Sequence, residues 1–167
     1  ILFSDNVELY IPPKKGKSHV LRIIRELLEF KSKSLRTDIN VPLKYISNIL
    51  KNRSIVFIIS DFMSKEYSNS LKIFSSRHDV TGVRIFDKNE EIIPNLGVID
   101  IKDNETGERL TINTSSKNIR KKYAKYYSLM RNEFISHFKK SGSGIIECST
   151  DDDYQKKLLK YFKSRWN

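Results

Sequence analysis

The chain has 167 residues, of which 38% are hydrophobic and 31% are charged. This length and composition fit a folded domain with its own core, and they exclude a disordered tail. No apolar run approaches the roughly 20 residues that a membrane-crossing helix needs, so we expect a cytoplasmic protein, with membrane attachment through upstream residues left open. The chain opens on Ile1 inside a strand-like segment, so we expect a piece of a longer protein.

The first half of the chain predicts a β-hairpin, two helices and an apolar strand. The predicted hairpin strands end at residue 4 and run over 7–11, the helices cover about 18–30 and 40–50, and the strand covers 55–60. Ser18 and Asn40 are the predicted caps of the two helices. The first helix has apolar residues on one face, which we expect to be buried: Val20, Ile23, Ile24, Leu27 and Leu28.

The second half predicts helices over about 69–77 and 116–140, strands over 80–86 and 145–148, and a last helix capped by Thr150 or Asp151. A second hairpin, with strands 98–102 and 109–113, reads as an insertion at about 97–114 within one domain of residues 1–167. Helices alternating with strands predict a parallel α/β sheet covered on both faces. The single cysteine, Cys148, lies in a strand and reads as a core residue.

Asp61 is the first candidate for a functional residue. It follows the apolar run 55–60, which predicts a strand buried on both faces, and ligands of α/β sheets bind beyond the carboxyl ends of such strands. Thr37 ends a neighbouring loop, and a hydroxyl together with a carboxylate suits Mg²⁺. The alternative is that Thr37 or Asp38 caps a helix while Asp61 hydrogen-bonds within its own loop.

Basic residues provide the other candidate sites. Lys14, Lys15 and Lys17 lie before the first helix and could bind an anion or a partner. The net charge of +11 favours nucleic acid, with a solvated lysine-rich surface as the alternative. The strongest candidate surface for nucleic acid is one face of the long helix, formed by Lys117, Arg120, Lys121, Lys122 and Lys125.

Other patterns argue against catalysis. No spacing of histidine, cysteine or serine predicts a nucleophile or a metal cluster, so we expect no enzymatic activity. The acidic run 151–153 reads as a helix start, where carboxylates favour the dipole.

The order of several short motifs resembles the bacterial MoxR-associated family, domain-of-unknown-function family 58, and more broadly von Willebrand factor A-type domains. The matching segments are Phe3-Ser4-Asp5, Pro12-Pro13-Lys14-Lys15-Gly16, His19-Val20-Leu21, Thr37-Asp38-Ile39, Ile59-Ser60-Asp61-Phe62, Pro94-x-x-Gly97, Glu105-Thr106-Gly107-Glu108 and Ser149-Thr150-Asp151-x-Asp153-Tyr154.

The resemblance implies a Rossmann-like three-layer sandwich with a mostly parallel sheet that lacks its first strand. It also implies a metal-ion-dependent adhesion site, in which Thr37 matches the second loop and Asp61 the third. The first loop, Asp-x-Ser-x-Ser, is absent from this sequence, so we expect Mg²⁺ in the intact protein and no cofactor here. The implied function is non-enzymatic interaction with a MoxR-type AAA+ ATPase and a client protein; the alternative is a basic nucleic-acid-binding module.

The resemblance further implies a gap in the sheet. In A-type domains the first strand lies between the strands that match 1–4 and 55–60, and each unpaired buried backbone group would cost about 1–3 kcal/mol. We therefore expect the gap to be closed by direct pairing of these strands, by another molecule such as a second copy exchanging a strand, or by another piece of the same protein.

Overall fold

The largest sheet consists of three parallel strands in a mixed α/β fold. The computed structural model describes residues 1–64, 66–102 and 109–165. The elements in chain order are β1 (Leu2–Phe3), β2 (Val7–Leu9), α1 (Lys17–Glu29), α2 (Asn40–Ile49), β3 (Ile55–Ser60), α3 (Ser68–Ser75), β4 (Asp79–Phe86), β5 (Val98–Lys102), β6 (Arg109–Asn113), α4 (Lys117–Lys140), β7 (Gly144–Ser149) and α5 (Tyr154–Arg165).

The strand order of the parallel sheet is β3–β4–β7, with β4 in the middle. Val80 of β4 lies opposite Val56 of β3, and Val83 lies opposite Ile146 of β7. β1 pairs with β2, and β5 pairs with β6, in separate antiparallel sheets. The predicted parallel sheet and both predicted hairpins are confirmed, although the motif at 105–108 lies outside the described residues.

One face of the parallel sheet packs against the aromatic residues of α4. Phe134 and Phe138 are buried there, and α2 and α3 complete the same core. Gly82 of β4 permits this close approach, because a Cβ at that position would lie 2.5 Å from the Phe138 ring and 2.8 Å from the Phe134 ring. The predicted inward positions Leu71 and Phe74 of α3 are confirmed as buried.

α5 covers part of the opposite face. The hydroxyl of Tyr161 lies 2.8 Å from the hydroxyl of Thr81, and Phe162 packs edge-on against Phe57 with 5.9 Å between ring centroids. Cys148 of β7 is buried, as predicted. Helices therefore lie on both faces of the sheet. On the α5 side, however, the cover extends only as far as Phe57 of β3.

The prediction that 55–60 is buried on both faces is wrong. Ile58 is only 7% exposed, whereas Ile55 and Ile59 on the other face are 58% and 62% exposed. The reason is the place of β3 in the sheet: it is an edge strand, and α5 lies over β4 and β7. An apolar sequence therefore occupies a half-covered position.

The expected burial of α1 is also wrong. The helix forms as predicted, but none of its residues is buried, and Leu27 and Leu28 are 56% and 81% exposed. A helical spacing of apolar residues predicts which face of a helix is apolar. It does not predict whether another element packs against that face.

Three predicted helix caps are wrong. Ser18 lies inside α1, which starts after Gly16 without a side-chain cap, and Asn40 lies inside α2. The last helix is capped by Asp153, whose Oδ1 accepts a hydrogen bond from the Lys156 amide at 3.1 Å, rather than by Thr150 or Asp151. Each true start lies within a few residues of the prediction, because several polar residues there could serve as caps.

The expected direct pairing across the sheet gap is not found. Within the described residues β1 and β3 belong to different sheets, and β3 has β4 as its hydrogen-bonded neighbour. In the same part of the chain, no helix combines the length and apolarity needed to cross a bilayer.

Candidate functional site at the carboxyl edge of the sheet

Asp61 lies directly beyond the carboxyl end of β3, as the sequence predicts. Its side chain is exposed, and Oδ1 accepts hydrogen bonds from the Met63 amide at 3.1 Å and from the Ser60 hydroxyl at 3.3 Å. These are hydrogen bonds within its own loop, as the alternative interpretation of Asp61 predicts. No hydrogen bond in the described part of the chain involves the other carboxylate oxygen, so Asp61 combines a fixed position with an accessible charge.

Phe62 holds this loop in place. Its φ is +59°, a left-handed conformation that costs a bulky residue about 1–3 kcal/mol. The ring is nevertheless buried, with its centroid 4.4 Å from that of Phe134 and 5.3 Å from that of Phe138. Burial of the ring thus anchors the turn and leaves Asp61 at the surface. Sequence analysis missed this role, since phenylalanine is not a residue type that normally adopts the left-handed conformation.

The Thr37 loop meets the Asp61 loop through Ser64. The Ser64 hydroxyl donates to the Thr37 carbonyl at 3.3 Å and accepts from the Ile39 amide at 3.4 Å. Asp38 accepts the amide of Asn40 at 2.9 Å and so helps to start α2, which is the local role that the alternative assigned to it. The two predicted site residues therefore lie on loops that contact each other.

The two side chains fit Mg²⁺ in ligand type but not in number. Mg²⁺ prefers hard oxygen ligands in near-octahedral geometry. Thr37 and Asp61 could provide one hydroxyl and one carboxylate, but among the described residues there is no cluster of three or more His, Cys, Asp or Glu that could hold a metal. One hydroxyl and one carboxylate by themselves leave most of the six positions around Mg²⁺ to other ligands.

An ion-pair network around the buried Arg84 lies near the same edge. Arg84 of β4 is 2% exposed and contacts Glu147 at 3.4 Å and Glu91 at 3.3 Å. Arg131 of α4 binds Glu147 with two hydrogen bonds, of 2.7 and 2.9 Å. The Arg131 guanidinium lowers the pKa of the Glu147 carboxyl. Two cations and two anions balance, so this network stabilises the sheet edge rather than attracting a charged ligand.

Sequence analysis missed the network, although it contained a signal. Arg84 is a charged residue among the apolar residues Val83, Ile85 and Phe86 of a predicted strand, and a charge in such a place is buried only when it is paired. The partners Glu91, Arg131 and Glu147 come from a loop, a helix and another strand, so no sequence spacing connects them.

The acidic run after β7 has structural contacts. Asp152 accepts the Ser149 amide at 2.6 Å and the Lys157 ammonium at 2.5 Å, and the Lys157 hydrogen bond lowers the pKa of Asp152. Asp153 caps α5. The interpretation of this run as a helix start is confirmed, although the cap residue differs.

The basic candidates lie apart from these contacts. Lys14, Lys15 and Lys17 are exposed, and within the described residues their side chains make no hydrogen bond or ion pair. On the basic face of α4, Arg120 donates to the carbonyls of Thr114 and Ser115 and is thus used to hold the helix start. Apart from the net charge, these contacts provide no observation that favours nucleic-acid binding.

Comparison with known proteins identifies relatives without an established activity. Uncharacterized protein MAV169 of Mycobacterium avium is 22% identical over 158 residues, covering 93% of this chain and 93% of that protein. Uncharacterized protein Rv1480 of Mycobacterium tuberculosis is 21% identical over 160 residues, covering 93% of this chain and 50% of that protein, so the chain spans about half the length of this relative.

Among solved structures, the conserved hypothetical protein BatB from Bacteroides thetaiotaomicron is 13% identical. The similarity covers 86% of this chain and 68% of that chain, with a TM-score of 0.48. A model of the family described as Protein of unknown function DUF58 matches residues 1–133. Because this match covers most of the 167-residue chain, the chain belongs to the DUF58 family.

Proposed function

We propose that this domain is a non-enzymatic protein-interaction module with a von Willebrand factor A-type fold. In this proposal it acts in the cytoplasm with a MoxR-type AAA+ ATPase during the maturation or assembly of other protein complexes. The motif order along the chain supports the family assignment on which the partner rests. The exposed apolar surface of β3 supports the binding of another polypeptide.

β3 is the observation that carries the proposal. It ends the parallel sheet, and within the described residues one of its edges has no hydrogen-bonded strand beside it. Ile55 and Ile59 on its outer face are more than half exposed. An exposed apolar edge strand is a template on which another chain can add a strand. The proposed occupant is therefore an apolar β-strand of the partner or of a longer form of this protein.

The start of the chain offers a second contact for the same partner. Leu21, Leu27 and Leu28 of α1 are each more than half exposed. The lysines at positions 14, 15 and 17 precede this apolar face. In the proposal this surface contacts an apolar patch with an acidic rim.

A pair of matched substitutions tests the β3 surface. Ile59 of β3 and Ile73 of α3 are 62% and 63% exposed, so a lysine at either position should be tolerated by the fold. We expect Ile59→Lys to weaken binding of the MoxR-type ATPase from the same organism by about tenfold or more, because it places a charge in the interface. Ile73→Lys should leave the dissociation constant, measured by calorimetry, unchanged. Equal affinities for both variants, or no binding of the unaltered protein, would contradict the proposal.

We further propose that Thr37 and Asp61 belong to a Mg²⁺ site that an upstream Asp-x-Ser-x-Ser loop completes. The contact between their loops through Ser64 supports this idea, as does the accessible carboxylate of Asp61. The test is calorimetric titration of Mg²⁺ into a longer form of the protein that carries such a loop.

Asp61→Asn should abolish Mg²⁺ binding in that longer form. Asp87→Asn is the control, because Asp87 also follows a parallel strand and its Oδ1 accepts the Asn89 amide at 2.8 Å within its own turn. If neither the longer protein nor its control variant binds Mg²⁺, the metal part of the proposal is wrong, while the test of the β3 surface remains independent of it.

A further inference from the structure

A cavity of about 490 Å³ lies at the amino-terminal edge of the parallel sheet, at the opposite end from the Thr37 and Asp61 loops. This volume lies in the range of small-molecule sites. Its wall comes from the end of α2, from the segment before β3 and from the residues just before β4. Lys51, Arg53, Arg77 and His78 are the titratable residues of the wall, and none of its residues is acidic.

Backbone hydrogen bonds fix the positions of these residues. The Asp79 amide donates to the Ser54 carbonyl at 2.8 Å, immediately before the β3–β4 pairing begins at Ile55 and Asp79. The amides of Arg77 and His78 both donate to the Phe74 carbonyl at 3.1 Å. The cations at 53 and 77 therefore extend from backbone that the sheet and α3 hold in place.

The charge of this cavity is not balanced by the protein. Within the described residues Lys51, Arg53 and Arg77 have no ion-pair partner. The carboxyl ends of α2 and α3, which lie beside them in sequence, each contribute about half a negative charge. Three full positive charges exceed two half charges, so the cavity keeps a net positive field that favours an anion.

His78 provides an independent observation. It is 4% exposed, its ring lies 4.6 Å from that of Phe74, and its Nδ1 is buried without a hydrogen-bond partner among the described residues. A buried polar atom is normally paired, and an unpaired one calls for an explanation; within the described residues the Nδ1 of His137 is another such atom, and it lies outside the wall of this cavity. The His78 residue itself belongs to the wall of the cavity that the three cations also line.

We propose that this cavity binds a small phosphorylated ligand. The two arginines can each present a planar guanidinium to phosphate oxygens, and Lys51 adds a point charge. The side-chain amides of Asn48 and Asn52 are further donors in the wall. Lys51, Arg53 and Arg77 are exposed at the mouth of this open depression, and its limited volume favours a small molecule over a macromolecular surface.

Another basic cavity of about 470 Å³ serves as an internal comparison. It is lined by Lys156, Lys160 and Lys163, and all of its wall residues belong to α5. Its cations therefore extend from one helix surface, and no buried polar atom lies in its wall. It matches the proposed site in size and in having three cationic wall residues, although Lys156 pairs with Asp153 at 3.0 Å, and it lacks the framework of several elements.

Calorimetric titration with inorganic pyrophosphate tests the proposal on the 167-residue protein. We expect the double variant Arg53→Gln and Arg77→Gln to raise the dissociation constant by about tenfold or more, since it removes charge-assisted hydrogen bonds. Lys160→Gln with Lys163→Gln removes the same charge from the α5 cavity and should leave the constant unchanged within about twofold. Absence of binding, equal losses in both variants or equally tight binding of citrate would overturn the assignment.

The nitrogen resonances of the histidine rings provide a second readout. Pyrophosphate should shift the signals of His78, and the signals of His19 on α1 should stay in place. Equal shifts at both histidines would mean diffuse association with a positive protein, which would also overturn the proposal.

Discussion

Strands β3 and β4 are neighbours in one sheet, yet their burial is the reverse of what their sequences suggest. β3 reads Ile-Val-Phe-Ile-Ile-Ser, and its outer face is exposed. β4 contains an aspartate, a threonine, a glycine and an arginine, and it is buried from Val80 to Arg84. Position in the sheet, rather than hydrophobicity, thus decides burial: β4 has a strand on each side and helices on both faces.

The difference assigns different roles to the two strands. The polar residues of β4 are acceptable because each has a partner, such as Tyr161 for Thr81 and Glu147 for Arg84. Within the described part of the chain, the exposed apolar residues of β3 have no comparable cover across their outer face, although Phe57 contacts Phe162. Excess apolar surface on an edge strand is the expected sign of a binding surface.

Alanine substitutions on the two faces of β3 test this comparison most strongly. Ile58→Ala should lower the free energy of unfolding by about 2–5 kcal/mol, because it leaves a cavity in a packed core. Ile59→Ala should cost about 1 kcal/mol or less, since its side chain is 62% exposed. Urea unfolding of both variants measures the two losses.

Similar losses at both positions would mean that the outer face of β3 is covered in solution. In that case the unaltered protein should also sediment as a dimer or larger species, and concentration-dependent unfolding would identify a second copy as the cover.

A smaller effect is expected where α4 approaches β4. Gly82→Ala places a methyl group 2.5 Å from the Phe138 ring, so it should destabilise the protein by about 1–3 kcal/mol through overpacking. Combining it with Phe138→Leu should cost less than the sum of the two single changes, because the smaller side chain makes room. Thermal unfolding of the four proteins measures the coupling, and strict additivity would show that Gly82 is not in contact with α4.

Much of the fold was predictable because the local signals agree with the final structure. The alternating and helical spacings of apolar residues, together with turn residues, predicted every described strand and helix to within a few residues of its observed bounds. The carboxyl end of β3 correctly placed Asp61 at a sheet edge, and the loop of Thr37 meets it. These features follow from chain order and from the geometry of parallel sheets.

The remainder depends on contacts between distant segments. The exposure of Ile59 follows from the strand order, which no local pattern contains. The left-handed Phe62 is held by α4, and Lys51, Arg53 and Arg77 reach one cavity because two helices end beside two strand starts. The carboxyl edge, where a site was expected, contains the paired charges of the Arg84 network beside Asp61, whereas among the described residues Lys51, Arg53 and Arg77 at the opposite edge have no ion-pair partner.

The smallest expected effect concerns the paired charge of β4. Arg131 and Arg84 hold the pKa of the Glu147 carboxyl below its ordinary value of 4.5, with the Arg131 hydrogen bond as the main cause. A lowered pKa in the folded state adds stability above pH 4.5, and this contribution is lost as the pH falls through the folded-state value. Glu147→Gln should therefore cost about 1–2 kcal/mol at neutral pH, because the two arginines then donate to a neutral amide instead of to a carboxylate.

The pH dependence of this loss separates the charge of Glu147 from its packing. The difference in unfolding free energy between the unaltered protein and the Gln variant should shrink as the pH is lowered from 7 to about 3, since protonation makes the two side chains alike. Asp153→Asn is the matched control: Asp153 also has a lowered pKa, but it caps α5 and touches no part of the β4 network. A loss at Glu147 that stays constant with pH would mean that β4 tolerates Arg84 through packing alone, such as its contact with the Phe86 ring at 4.5 Å.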